Sequence, residues 1–515
     1  MTESAKTGTP TASEVVENRS FFGHPRGLGT LFGVEMWERF SYYGLRPLLI
    51  LFMTAALLDG GYGFDRTTAG AIVGIYGACV YLASLPGGWV ADRWLGLQRS
   101  IWYGGIIIAL GHLSIGLSAI FKQPAFFLGL VLIVIGTGLL KPNISAIVGD
   151  LYPGGGARRD AGFSIYYMGI NTGAFLGQIV TGYLGERVGW HIGFGAAGIG
   201  MVCGLITFKI FAQRTLGPIG TDVAVPPAEQ QKAKKIALSV LGAIIIAVAL
   251  VGSGVVPFNP VAVAAYSTAG IISIVILYFA YLFVLGGLSP DEKKRIVVIG
   301  VLFLAAATFW SAFEQAPTSL NLFARDFTDR VVFGFEMPAT WFQSINSFFV
   351  IAFAPVFAAL WVWLGKRGIS PSSPAKFTAG LFMCGVAFYV MLLASNKVIA
   401  GGGGSIVKVS VWWLTGSYLL QTLGELSLSP VGLSSMTKLA PRRYVGQMMG
   451  VWFMASAVGN LIGGLVGGNI DPEKLELMPV LFYRTAMSLF VATGIMALLI
   501  IPLRNMMKSS EVTDH

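Results

Sequence analysis

Long apolar runs separated by short polar connections recur about fourteen times along the chain, at roughly 31–57, 67–91, 101–121, 125–147, 161–183, 190–213, 236–256, 264–287, 296–322, 340–364, 377–395, 409–435, 444–468 and 481–503. Each has about the ~20 helical residues needed to cross ~30 Å of hydrocarbon. The pattern therefore predicts fourteen membrane-spanning helices and an all-α membrane protein. An even number of spans puts both termini on one side. With the amino terminus inside, the inner segments hold 23 Lys and Arg and the outer loops 9, which is the bias that places a loop in the cytoplasm. The first thirty residues lack an apolar core followed by a small-residue cleavage site, so the first span is expected to act as its own insertion signal.

The longest polar connection, 214–235, is rich in Pro, Gly and Lys and follows the sixth span, as a linker between two bundles would. The expected organisation is a cytoplasmic tail (1–30), a six-helix bundle (31–213), the linker (214–235), a segment of two accessory spans (236–295) whose apolar runs 236–256 and 264–287 hold no Asp, Glu, Lys or Arg, a second six-helix bundle (296–503) and a cytoplasmic tail (504–515). Trp94-Leu95-Gly96 with Arg99 closes the second span, and Trp363-Leu364-Gly365 with Lys366 and Arg367 closes the tenth. Such a parallel repeat fits a duplicated transporter with its site at the midplane between the halves.

Composition narrows the function classes. A mean hydropathy of +0.71 with only 12% charged residues excludes a soluble globule. The net charge of +10 is spread over short loops, so nucleic acid is not expected as a partner. Cys79, Cys203 and Cys384 sit in apolar stretches without metal-ligand spacing and read as small core residues. The run Gly401–Gly404 reads as a flexible outer loop, Asp92 and Arg93 as capping and inter-helix bridging, and Asn321, Arg325, Asp326, Asp329 and Arg330 as a solvated charge cluster. No Walker motif, HExxH or nucleophile elbow is present, so neither an ATP-driven pump nor an enzyme is indicated, and no cofactor is implied.

The informative residues are charges within the spans. In the first span, Glu35, Glu38, Arg39, Tyr42, Tyr43 and Arg46 share an arc of about 140° at helical spacing. Met36, Trp37, Phe40, Gly44 and Pro47 form the opposite face, suited to lipid or to packing. Four ionisable groups would cost on the order of 10 kcal/mol if exposed to lipid, so the stripe must line a wet cavity or pair with other charges. Lys141 precedes Pro142 in the fourth span, Glu314 precedes Pro317 in the ninth, and Glu425 precedes Pro430 in the twelfth. Three buried cations (Arg39, Arg46, Lys141) thus meet four buried acids (Glu35, Glu38, Glu314, Glu425). The acid left over is a place where a proton can be taken up, because burial disfavours the charged form. His24, His112, His191 and His515 read as structural or incidental.

Glu35-x-x-Glu38-Arg39-Phe40-x-Tyr42-Tyr43 resembles the first-helix motif of the proton-dependent oligopeptide transporter family, a branch of the major facilitator superfamily. Gly87-Gly88-Trp-Val-Ala91-Asp92 with Gly96, Tyr167-x-x-x-Asn171-x-Gly173, Lys141-Pro142-Asn143, and Gly424-Glu425-Leu426 leading to Ser429-Pro430 are similar to further signatures of that family, in the same order. The resemblance implies a major facilitator fold of two six-helix bundles, with the extra pair found in bacterial members. It also implies a monomeric, lipid-embedded unit in a bacterial inner membrane that takes up di- and tripeptides with protons by alternating access. By position, Glu35, Glu38, Arg39 and Lys141 would handle protons, and Arg46 with Lys141 would hold the peptide carboxylate. Glu425, helped by Asn171 and Asn346, would hold the amino group, and Tyr42, Tyr81, Trp310 and Trp452 would shape side-chain pockets. Tyr43, Glu314 and Ser429 complete the expected substrate-binding set, and Lys141 with Glu425 would form a gate. Eukaryotic relatives carry a second-helix histidine that this chain lacks, which leaves proton coupling to the glutamates. The alternatives are another solute on the same scaffold (nitrate, a drug or another small metabolite) and a non-transporting membrane receptor or enzyme.

Overall fold

The computed structural model of the protein describes residues 10–369, 371–400 and 407–508; Gly401–Gly404 and His515 lie outside them. Long helices follow the apolar runs. They are Arg26–Thr54, Arg66–Val90, Leu97–Asp150, Gly156–Tyr183, Trp190–Thr215, Pro227–Gly252, Pro260–Leu285, Pro290–Phe313, Trp341–Lys366, Ser373–Ile399, Val411–Leu439, Val445–Gly467 and Leu477–Lys508. Leu97–Asp150 holds the third and fourth spans, because the chain reverses at Lys122 (φ 55°, ψ −144°). These two spans lie backbone to backbone. A Cβ on Gly104 would come within 2.7 Å of the Gly136 carbonyl oxygen, and one on Gly136 within 2.6 Å of that of Gly104. Small residues at such crossings let membrane helices pack closely.

Among the described residues, ten helical stretches are long and apolar enough to cross a membrane by length and composition, Leu97–Asp150 counting as one of them. The long helices that fall short are Arg26–Thr54, Gly156–Tyr183 and Val411–Leu439. They carry Glu35 to Arg46, Asn171 and Glu425, so the least apolar helices are those on which the expected site residues cluster.

The chain forms two compact units. One comprises Met1–Leu45 and Leu82–Phe258, the other Arg46–Tyr81 and Asn259–His515. In the first unit, the face of the first span opposite the charges is used for packing rather than lipid. A Cβ on Gly177 would lie 2.4 Å from the Phe40 carbonyl oxygen, one on Gly173 2.0 Å from that of Met36, and one on Gly44 2.7 Å from the Thr181 side chain. Ser41 Oγ and His112 Nε2 are 2.5 Å apart in the buried interior. His24 Nδ1 meets Tyr152 Oη at 2.8 Å. Burial, with the Arg158 cation nearby, holds His24 below the usual histidine range.

Three segments differ from their sequence expectation. The seventh helix starts at Pro227 rather than at 236, because a proline in the first turn is followed by the helix-forming residues 228–235. The connection before it is no free tether, since Gln98 Nε2 donates to the carbonyls of Gly217 at 3.0 Å and Ile219 at 2.7 Å. Asp92 and Arg93 are exposed; Arg93 lies over the Trp89 ring, and Asp92 makes no ion pair among the described residues. In the second unit the Arg325–Asp326 cluster is partly buried instead of solvated. Arg66 Nη1 lies 2.6 Å from Asp326 Oδ2 and Arg325 Nε 2.8 Å from its Oδ1, while Asn321 Nδ2 donates to the Pro47 carbonyl at 2.7 Å.

Candidate functional site

Within the first unit, the helix period brings Glu35, Glu38 and Arg39 onto one buried face of the first span. Arg39 Nε lies 2.7 Å from Glu35 Oε1 and 2.9 Å from Glu38 Oε2, the second contact falling off the hydrogen-bonding direction. Glu35 Oε2, both oxygens of Glu38 and Arg39 Nη2 have no hydrogen-bond partner. Burying carboxylates is costly unless charge or hydrogen bonds compensate. Part of that compensation comes from Lys141, within electrostatic reach of Glu38, and part from the Tyr166 hydroxyl, which adjoins Glu35 and lies 3.3 Å from Ser145 Oγ. The guanidinium of Arg39 sits 5.8 Å from the Tyr42 ring centre, and that ring meets Tyr43 edge-on at 5.1 Å. Two acids and two cations thus balance here.

The second unit holds a different arrangement. Arg46 Nη2 donates to Glu314 Oε2 and, at 2.7 Å, to Asn460 Oδ1. Glu314 stands where the ninth span breaks. The helix Pro290–Phe313 ends there, and a wide turn over Ala316–Leu320 carries the chain into Asn321–Phe327. The cause is Pro317, which cannot donate to the carbonyl of residue 313. Glu425 accepts from Asn346 Nδ2 at 3.1 Å, while the same amide donates to Thr422 Oγ1 at 2.9 Å. Glu425 also lies within electrostatic reach of Glu314. One guanidinium therefore serves a cluster containing two carboxylates. The helices around Lys141 and Glu425 stay helical through Pro142 and Pro430.

The other expected residues distribute as follows. Asn171, in the first unit, is buried and donates Nδ2 to the Tyr167 carbonyl of its own helix at 2.9 Å. In the second unit Trp310 is buried and its Nε1 has no hydrogen-bond partner. Trp452 is buried with its ring filling the space a side chain at Gly432 would need, and Tyr81 and Ser429 are half-buried. Sequence reasoning missed Tyr166, Ser145, Thr422 and Asn460. An amide deep within the apolar helix Val445–Gly467, whose other amide, Gln447, stands in the first turn, was the available signal for Asn460; the hydroxyls carry none, because Ser, Thr and Tyr are common in membrane helices.

The chain is similar to known proteins along nearly its whole length. The PTR2 profile, described as the POT family, matches residues 98–474. The chain is 49% identical over 507 residues to a peptide transporter of Yersinia enterocolitica, covering 97% of this chain and 99% of that protein. It is 37% identical to a di-/tripeptide transporter of Lactococcus lactis subsp. cremoris, covering 94% and 95%. A solved peptide transporter POT in complex with sulfate superposes with a TM-score of 0.87 at 40% identity over 96% of this chain and 99% of the other. A POT family transporter in complex with 5-aminolevulinic acid gives 0.86 at 34% identity over 96% and 100%. The long helices, their buried ion pairs and these matches together establish that the chain is a multi-pass membrane protein of major facilitator fold and belongs to the POT family of transporters.

Proposed function

We propose that the protein is a proton-coupled symporter that imports di- and tripeptides by alternating access across a bacterial inner membrane, with both termini in the cytoplasm. The observation that carries this reading is the charge imbalance in the second unit, where Glu314 and Glu425 share one cluster with Arg46. An uncompensated carboxylate in a low-dielectric interior is neutralised either by a proton or by a cationic ligand. A zwitterionic peptide supplies the second and displaces the first. Its ammonium group suits Glu425 and Asn346, and its carboxylate suits the planar fork of Arg46. Once the peptide holds Arg46, Glu314 loses its partner and takes the proton that the ammonium group displaces from Glu425, so peptide and proton are carried together. In the first unit Glu35 and Glu38, bridged by Arg39 and near Lys141, would carry protons. Lys141 and Glu425 would act as a coupled gating pair. The relatives named as peptide and di-/tripeptide transporters support the substrate class.

Competition for labelled dialanine uptake tests the recognition of both charged ends. Dialanine should compete well, whereas its C-terminal amide and its N-acetyl derivative should each compete at least about tenfold less well, since each lacks one charge-assisted hydrogen-bonded pair. An amide that competes as well as dialanine would remove Arg46 from its role. A second reading, a wider class of small amino acids bearing separated ammonium and carboxylate groups, is favoured by the likeness to the family member solved with 5-aminolevulinic acid.

A further inference from the structure

The tenth and twelfth spans, Trp341–Lys366 and Val411–Leu439, pack against each other in the second unit and, by the alternation of the spans, run in the same direction. Equal steps along both helices therefore define matching layers. Asn346, Thr422 and Glu425 share one layer through the hydrogen bonds described above. One helical turn nearer the amino-terminal ends of both helices, a second layer contains Gln343, Tyr418 and Gln421. At 100° per residue, Gln421, Glu425 and Tyr418 span an arc of about 60°, so the second layer stands on the stripe of the twelfth span that carries Glu425.

This second layer is buried but not satisfied. Gln421, Tyr418 and Gln343 are 1%, 2% and 7% exposed, yet Gln421 Oε1, Tyr418 Oη and Gln343 Nε2 have no hydrogen-bond partner. Gln421 Nε2 is already used by Ser417 Oγ at 3.1 Å, which fixes its oxygen as the free end. An acceptor, a donor and a hydroxyl that is both are left without partners in one layer, next to an acid that the reading above makes part of the proton cycle. Native proteins retain such groups when something polar joins them, and each would otherwise cost stability.

We propose that ordered water joins Gln343, Tyr418 and Gln421 into a proton path that feeds Glu425 from the amino-terminal ends of these two helices, the side that the charge bias assigns to the outside. The two amides orient water by one acceptor and one donor. The Tyr418 hydroxyl relays, accepting one proton and releasing another, so it is unchanged after each transfer; the proton ends on the Glu425 carboxylate and neutralises it. The charged group within reach of Glu425 in this unit is Glu314, held in turn by Arg46. This inference rests on the symport reading and adds a route to it.

Tyr418→Phe and Gln421→Met in proteoliposomes test the path. The wild type is measured first; if dialanine drives no proton influx there, the symport reading itself falls. With wild-type influx present, each variant is expected to lose about tenfold in peptide-driven proton influx, the scale of one lost ordered hydrogen bond, while keeping dialanine affinity and peptide counterflow. If these groups were merely unsatisfied, replacing them with apolar groups of similar shape would leave transport intact and hold or raise the melting temperature. Unchanged influx in both variants overturns the path. Should either variant fail to fold, Gln343→Met on the facing helix is read by the same assay, and unchanged influx there overturns the path equally.

Discussion

Arg46→Ala is expected to abolish measurable peptide uptake, with at least a hundredfold loss in dialanine affinity. In the structure Arg46 donates to Glu314 and Asn460. Removing it leaves a carboxylate buried at a broken helix with no cation beside it, which typically costs roughly 3–5 kcal/mol when one partner of a buried pair is deleted. It also removes the donor fork proposed for the peptide carboxylate. The two effects separate experimentally. Arg46→Ala with Glu314→Gln should regain thermal stability, because both charges are gone, but should not regain affinity. Arg46→Lys keeps the charge, loses the bidentate geometry and should bind with intermediate strength. Recovery of dialanine affinity in the double variant would show that Arg46 serves only to neutralise Glu314.

The second large effect concerns Lys141 and Glu425. Lys141→Ala and Glu425→Ala should each lower peptide binding and shift the ratio of inward-open to outward-open forms, and the double variant should be far from the sum of the two. Groups that act as one unit show such coupling, commonly ~0.5–3 kcal/mol. Lys141 reaches Glu38 and Glu425 reaches Asn346 and Glu314, so each already belongs to a charge network whose balance the other would alter during the cycle. Spin-label distances report the conformational ratio and calorimetry the binding. Strict additivity in both readouts would remove the gating role.

Much of the fold was legible because a membrane imposes one rule, that every backbone polar group be satisfied within the span. That rule turns a hydropathy pattern into helix positions. It does not locate the ends of helices that continue into water, which is why the seventh begins at Pro227 and takes up residues 227–235 of what reads as a linker. The reversal at Lys122 falls in the gap that the pattern leaves between the third span (101–121) and the fourth (125–147), although a single residue makes it. At the site, the stripe of Glu35, Glu38 and Arg39 could be read from helical period and the cost of charge in lipid. The pairing of Arg46 with Glu314 could not, since 268 residues separate them and four acids and three cations allow many pairings. The hydroxyl partners Tyr166 and Thr422 were invisible for a related reason. Their residue types are unremarkable in a span, and only packing tells which of them face a charge.

The central claim, that peptide and proton move together through this protein, is tested most directly in proteoliposomes loaded with a pH-sensitive dye. With no imposed pH gradient, an inwardly directed dialanine gradient should acidify the lumen of vesicles holding the wild type. Glu35→Gln and Glu38→Gln should abolish that acidification while still exchanging labelled for unlabelled dialanine, because exchange requires no net proton movement. Dialanine uptake without acidification in the wild type, or full acidification in both variants, would contradict the account.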